Sequence, residues 1–180
     1  GDLTYDFNHT HFATLPGAKS NTLYLDGFSK SYAMTGWRVG YACGPKEIIA
    51  AMTKIHQYTI MCVNITAQMA ACEALHSGRK SVEEMKREYR RRRGLMVDGL
   101  NSMGLTCAKP EGAFYVFPCI KKSGMKSMEF AQGLLKEQKV AVVPGTAFGE
   151  EFDDYVRMCY ALGFDNLKEA LRRIALFLKN

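Results

Sequence analysis

The chain has 180 residues, 47% of them hydrophobic and 23% charged, with 24 lysines and arginines against 18 aspartates and glutamates, a formal net charge of +6. That size and apolar content suffice for one good core or two small ones and exclude the disordered and collagen-like classes. The longest apolar runs, such as Ile60 to Ile65 and Val140 to Val143, stop far short of the roughly 18 residues of a membrane span, so no membrane partner is expected.

In chain order, the opening Gly1-Asp2-Leu3-Thr4-Tyr5-Asp6 lacks the basic start and apolar run of a secretory signal, which predicts a cytoplasmic protein. Thr22 to Asp26 alternate polar and apolar and end at Gly27, and Val39 to Cys43 close at Gly44-Pro45, so both read as strands. Pro45 opens a helix with Ile48, Ile49, Met52 and Ile55 at helical spacing. A second helix runs from Asn64 as N-cap to about His76, stopped by Gly78. Ser81-Val82-Glu83-Glu84 fits a capping box and predicts a long helix from Ser81 to Gly104, striped by Met85, Tyr89, Met96 and Leu100.

Short strands follow near Leu105 to Ala108, Ala113 to Phe117, Val140 to Val143 and Tyr155 to Tyr160, with a helix over Ser127 to Lys136 among them, a mixture that reads as a compact α+β unit. Asp165 as N-cap, with Leu167, Leu171, Ile174 and Leu178 on one face, predicts a final amphipathic helix. The expected organisation is therefore residues 1–80, a bridging helix over 81–104, and a small domain over 105–180.

Two features point away from other functions. The basic run Arg90-Arg91-Arg92-Arg93 follows Glu83, Glu84 and Glu88 at helical pairing distance and has no interleaved aromatics, so it reads as a solvated helix face and no nucleic-acid partner is expected. Cys43, Cys62, Cys72, Cys107, Cys119 and Cys159 form no C-x-x-C pair and have no histidine at zinc-finger spacing; they read as reduced, mostly packed thiols, with no metal site.

The chemistry concentrates between the first two strands, in Gly27-Phe28-Ser29-Lys30-Ser31-Tyr32-Ala33-Met34-Thr35-Gly36-Trp37-Arg38-Val39-Gly40-Tyr41. A lysine amine can condense with a carbonyl, and an arginine presents a planar fork that grips a phosphate. Lys30 lies eight residues before Arg38, a spacing that suits a cofactor bearing both an aldehyde and a phosphate. Two further segments stand out. Pro110-Glu111-Gly112-Ala113-Phe114-Tyr115-Val116-Phe117 is a glycine followed by an aromatic strand, which on its own is also a plain buried strand. Val143-Pro144-Gly145-Thr146-Ala147-Phe148-Gly149 precedes Tyr155-Val156-Arg157-Met158-Cys159-Tyr160, whose arginine sits among apolar neighbours and is costly to bury without an anion.

Together these three segments resemble the class I/II aminotransferases, the fold-type I family of pyridoxal-phosphate enzymes, in the family's order and at about its spacing. The resemblance implies an α/β fold: a truncated remnant of the fold-type I large domain, built on a mostly parallel sheet, plus the small C-terminal α+β domain. It implies pyridoxal 5'-phosphate as cofactor, with Lys30 as covalent anchor and general base, Arg38 on the phosphate, and Ser29 either adding a hydrogen bond or serving as a plain turn serine. Arg157 would bind the substrate α-carboxylate, and the segment carrying Phe114 would line the substrate entrance.

The implied reaction is amino-group transfer between an L-amino acid and a 2-oxo acid, by a homodimer. A C–S lyase on the same scaffold is the nearest alternative. A ligand-sensing domain of a regulator and a ligand-free scaffold are the others. The family's remaining cofactor contacts lie upstream of its lysine and are not recognisable in the 29 residues before Lys30. The chain is therefore expected to be the C-terminal half of such an enzyme, inactive alone, with exposed strand edges in its first part, which is expected to be distorted, mobile or packed on another copy.

Overall fold

The structure is a computed structural model that describes residues 3–179. The chain divides into two compact units, with the boundary between Lys86 and Arg87.

In the first unit, strands β1 (Tyr24–Gly27) and β2 (Gly40–Cys43) pair antiparallel, Tyr24 opposite Cys43 and Gly27 opposite Gly40. The family sheet was expected to be mostly parallel; these two strands run antiparallel because the chain returns directly through the Phe28–Val39 loop, without the longer crossover that a parallel pair needs. The facing glycines matter, since a Cβ on Gly40 would lie 2.9 Å from the Asp26 carbonyl oxygen. Helix α1 (Phe28–Ser31) is a single turn that starts at the end of β1.

Helix α2 (Lys46–Thr59) starts after Pro45, as the sequence predicts, yet it buries no residue: Ile48 and Ile55 are exposed. Helix α3 (Ile65–Ser77) is capped by Asn64, whose side-chain oxygen accepts from the Thr66 and Ala67 amides at 2.9 and 3.2 Å. Its Ala67 and Ala71, one helical turn apart, are buried with Phe28, Met34 and Val39 to form the core of this unit. Small side chains on that face let the helix approach the loop closely.

Helix α4 (Arg79–Ser102) begins two residues before the expected Ser81. The Val82 amide bonds to the Gly78 carbonyl, so α3 passes into α4 through one glycine and the Ser81 capping box is not needed. The arginine run is tied to its own chain: Arg92 pairs with Glu88 at 2.9 Å, the Arg91 guanidinium lies 3.7 Å from the Phe164 ring centroid, and buried Arg93 donates to the Pro110 carbonyl at 2.8 Å.

In the second unit, strands β3 (Tyr115–Val116), β4 (Val143–Pro144) and β5 (Val156–Cys159) form an antiparallel sheet with β5 in the centre. Helices α5 (Ser127–Gln138) and α6 (Phe164–Phe177) cover it, burying Phe130, Leu134, Leu167, Leu171, Ile174 and Phe177. Gly163, not Asp165, stands at the N-cap of α6, and Asp165 falls in the first turn. The expected strand over Leu105 to Ala108 does not form. The Asn101 side chain takes the place of a neighbouring strand, accepting from the Cys107 amide at 2.9 Å and donating to the Cys107 carbonyl at 3.0 Å. Of the cysteines, Cys107 is buried and Cys119 half-buried; Cys43, Cys62, Cys72 and Cys159 are exposed, against the expected packing.

Candidate functional site

The loop between β1 and β2 alternates buried anchors with exposed polar groups. Phe28, Met34 and Val39 point into the core, while Lys30 and Arg38 face solvent and Ser29 is half-buried. The neck is closed by the Phe28 amide on the Val39 carbonyl at 3.3 Å, and the turn by the Met34 amide on the Phe28 carbonyl at 3.2 Å. Apolar burial thus holds the loop from within and leaves its cationic side chains outward.

Two non-glycine residues of this loop, Ala33 and Arg38, adopt φ of 54°, in the left-handed region that residues with a Cβ rarely occupy. At Arg38 the reversal carries the chain from the 3-10 turn Thr35–Trp37 into Val39 and β2. The Arg38 Nη1 donates to the Thr35 carbonyl at 2.8 Å, and the guanidinium makes no ion pair among the described residues. Such strain is held only where the surroundings over-determine it, and it concentrates at functional loops.

Just before the loop, Tyr24 and Asp26 form a pair that sequence reasoning passed over. The Tyr24 hydroxyl donates to Asp26 Oδ2 at 2.5 Å, and Asp26 Oδ1 accepts from the Gly27 amide at 2.7 Å. Burial raises the Asp26 carboxyl, but these two hydrogen bonds outweigh it and hold the group below its ordinary value; the same contact raises the Tyr24 phenol. Asp26 therefore locks the backbone at the step from β1 into α1. The i, i+2 placement of tyrosine and aspartate on one strand face was the available signal.

In the second unit, β5 alternates as a half-buried strand must: Val156 and Met158 are buried, which puts Tyr155, Arg157 and Cys159 on the opposite face. The Arg157 guanidinium carbon lies 4.6 Å from the Tyr115 ring centroid and 4.9 Å from that of Phe148. Phe114 is turned to the buried side, its ring 5.6 Å from Tyr89 and 4.7 Å from Tyr115. Lys30, Ser29 and Arg38 thus share one loop of the first unit, while in the second Arg157 lies on β5 and Phe114 just before its neighbour β3.

Residues 2–174 match the family model described as aminotransferase class I and II. The aspartate aminotransferase of Pyrococcus abyssi is 47% identical over 171 residues, which cover 94% of this chain and 44% of the relative. The aromatic-amino-acid aminotransferase 2 of Thermococcus litoralis is 46% identical over 93% of this chain and 43% of its own length. Among solved structures, the aromatic aminotransferase from Pyrococcus horikoshii superposes with a TM-score of 0.93 at 45% identity, over 99% of this chain and 48% of that one. The chain spans about half the length of the curated relatives it matches.

Proposed function

We propose, from the premise that this chain belongs to the class I and II aminotransferase family, that the full-length protein transfers an amino group between an L-amino acid and a 2-oxo acid with pyridoxal 5'-phosphate as cofactor, and that this chain alone is inactive. The observation that carries the reading is the pinned loop, with Lys30 and Arg38 exposed above the Phe28, Met34 and Val39 core. Pyridoxal phosphate, when bound, supplies an aldehyde that captures amines and a ring that accepts electrons.

The residues present fit that group. Lys30 supplies the amine that holds the aldehyde and, once displaced, moves the proton at the substrate Cα. Arg38 binds the phosphate with the guanidinium N–H groups that Thr35 does not use. The half-buried Ser29 hydroxyl has no partner among the described residues and donates to the same phosphate. Arg157 orients the substrate α-carboxylate, and the buried Phe114 ring supports Tyr115 from behind. No helix of the described residues is long and apolar enough to cross a membrane. A cytoplasmic homodimer, and a division of the chain into two domains joined by the helix observed as α4 (Arg79–Ser102), complete the proposal.

The reading is tested by mixing the chain with pyridoxal phosphate, reducing with borohydride and mapping the adduct by peptide mass. A saturable adduct at Lys30 that Arg38→Ala weakens is expected; labelling scattered over surface lysines would count against it. A second result separates binding from strain. Arg38→Gly is expected to change stability by less than about 1 kcal/mol, because relief of the left-handed backbone offsets the entropy that glycine adds to the unfolded chain. It should still weaken the adduct as much as Arg38→Ala does, which melting curves beside the same titration would check.

A further inference from the structure

We propose that Tyr115 and Phe148 are positioning residues that pre-order the Arg157 guanidinium for a carboxylate through cation–π contact. The proposal rests on the reading of Arg157 as the α-carboxylate receptor and adds what holds that receptor in place.

The sheet geometry brings the three side chains together. In the β3–β5 register Tyr115 stands opposite Cys159, two residues beyond Arg157, so Tyr115 is the diagonal neighbour of Arg157 on the same face. Diagonal pairs are within reach of aromatic and long side chains. On the other side, the residue directly opposite Arg157 is Val143, which offers a guanidinium nothing polar. Phe148 arrives from the 3-10 turn Gly145–Phe148 that follows β4.

Both rings are themselves supported. Phe148 meets Phe117 edge to face at 5.8 Å, and Phe117 stacks on Tyr155 at 5.3 Å and 9°. Tyr115 rests on Phe114. Arg157, by contrast, makes no hydrogen bond or ion pair among the described residues, and the two rings at 4.6 and 4.9 Å are its recorded partners. A negative ring face attracts the cation without using any of its N–H donors. The N–H fork therefore stays available for a bidentate carboxylate, and a long, rotamer-rich side chain is ordered before the ligand arrives.

The probe is 2-oxoglutarate, titrated calorimetrically into the chain with pyridoxal phosphate added, so that the readout is binding and not turnover. Phe148 is replaced in turn by mono-, di- and trifluorophenylalanine, which weaken the negative ring face at nearly constant size. The logarithm of Kd is expected to rise steadily along the series, to about three- to fivefold at the last member. Tyr115→Phe should keep the affinity and Tyr115→Leu lose a similar factor, with melting temperatures unchanged in all the fluorinated proteins. A flat series, while Arg157→Gln abolishes binding, overturns the clamp alone. Unchanged affinity in Arg157→Gln, or no saturable binding by the unsubstituted chain, overturns the carboxylate reading beneath it.

Discussion

A Lys30→Ala substitution is expected to leave the chain with no borohydride-reducible adduct at the β1–β2 loop and, made in the full-length protein, to cost amino-group transfer about 10²–10⁴-fold or more. The loss combines two roles in one amine, the covalent hold on the cofactor and the proton transfer at the substrate Cα. Stability should move by no more than about 0.5 kcal/mol, because Lys30 is exposed and the loop is held by Phe28, Met34 and Val39, which the substitution leaves alone. Lys30→Arg sharpens the test. A guanidinium keeps the positive charge but stays protonated at any working pH and cannot act as the amine nucleophile. Loss in both variants, with unchanged melting curves, assigns the effect to the amine. Transfer that survives Lys30→Arg would remove the lysine from the chemistry.

The second large effect is structural. Gly145→Ala is expected to destabilise the second unit by about 3 kcal/mol. A Cβ there would overlap the carbonyl oxygen of Phe152 and come within 2.6 Å of that of Tyr155, both main-chain atoms that no rotamer change can move. The Gly145 amide donates to that same Tyr155 carbonyl at 2.9 Å, so the turn after β4 is pressed directly onto the segment leading into β5. Displacing it would also displace Phe148 from Arg157. Two other glycines serve as controls. Gly36 and Gly94 have nothing within 4 Å of an added Cβ. Gly36→Ala should be near neutral, and Gly94→Ala, inside α4, should stabilise by about 0.5–1 kcal/mol. Denaturant midpoints followed by circular dichroism would show the ordering. A Gly145→Ala midpoint equal to that of Gly36→Ala would mean that the close approach is not needed.

Most elements were legible from local pattern, and the errors share a cause. The Asn64 cap, α3, α5 and the strands carrying Tyr115 and Arg157 follow from side-chain chemistry within a few residues; their antiparallel pairing does not. Ser81 looked like a helix start because its capping box is a local motif, but the Gly78 carbonyl was already in place to accept from Val82. Asp165 lost the N-cap of α6 to Gly163. Leu105 to Ala108 was expected to be a strand, yet the Cys107 backbone finds its partner in the Asn101 side chain. The apolar stripe of α2 was legible as a helical pattern, yet within this unit Ile48 and Ile55 stay exposed. Periodicity reports that a face is apolar; it does not report what covers it.

The sequence by itself determined the family, the loop that bears Lys30 and Arg38, and the strand that bears Arg157, because these depend on residue identity at short spacing. Only the tertiary structure decided that Arg38 sits in a left-handed conformation, that Asp26 pins the end of β1 through Gly27 and Tyr24, and that Tyr115 and Phe148 flank Arg157. The first two involve neighbours in sequence whose conformation is fixed only when β1 pairs with β2 and the loop closes; the third joins residues 115, 148 and 157 through strand register and the turn after β4, and no local propensity encodes which ring will lie over which guanidinium.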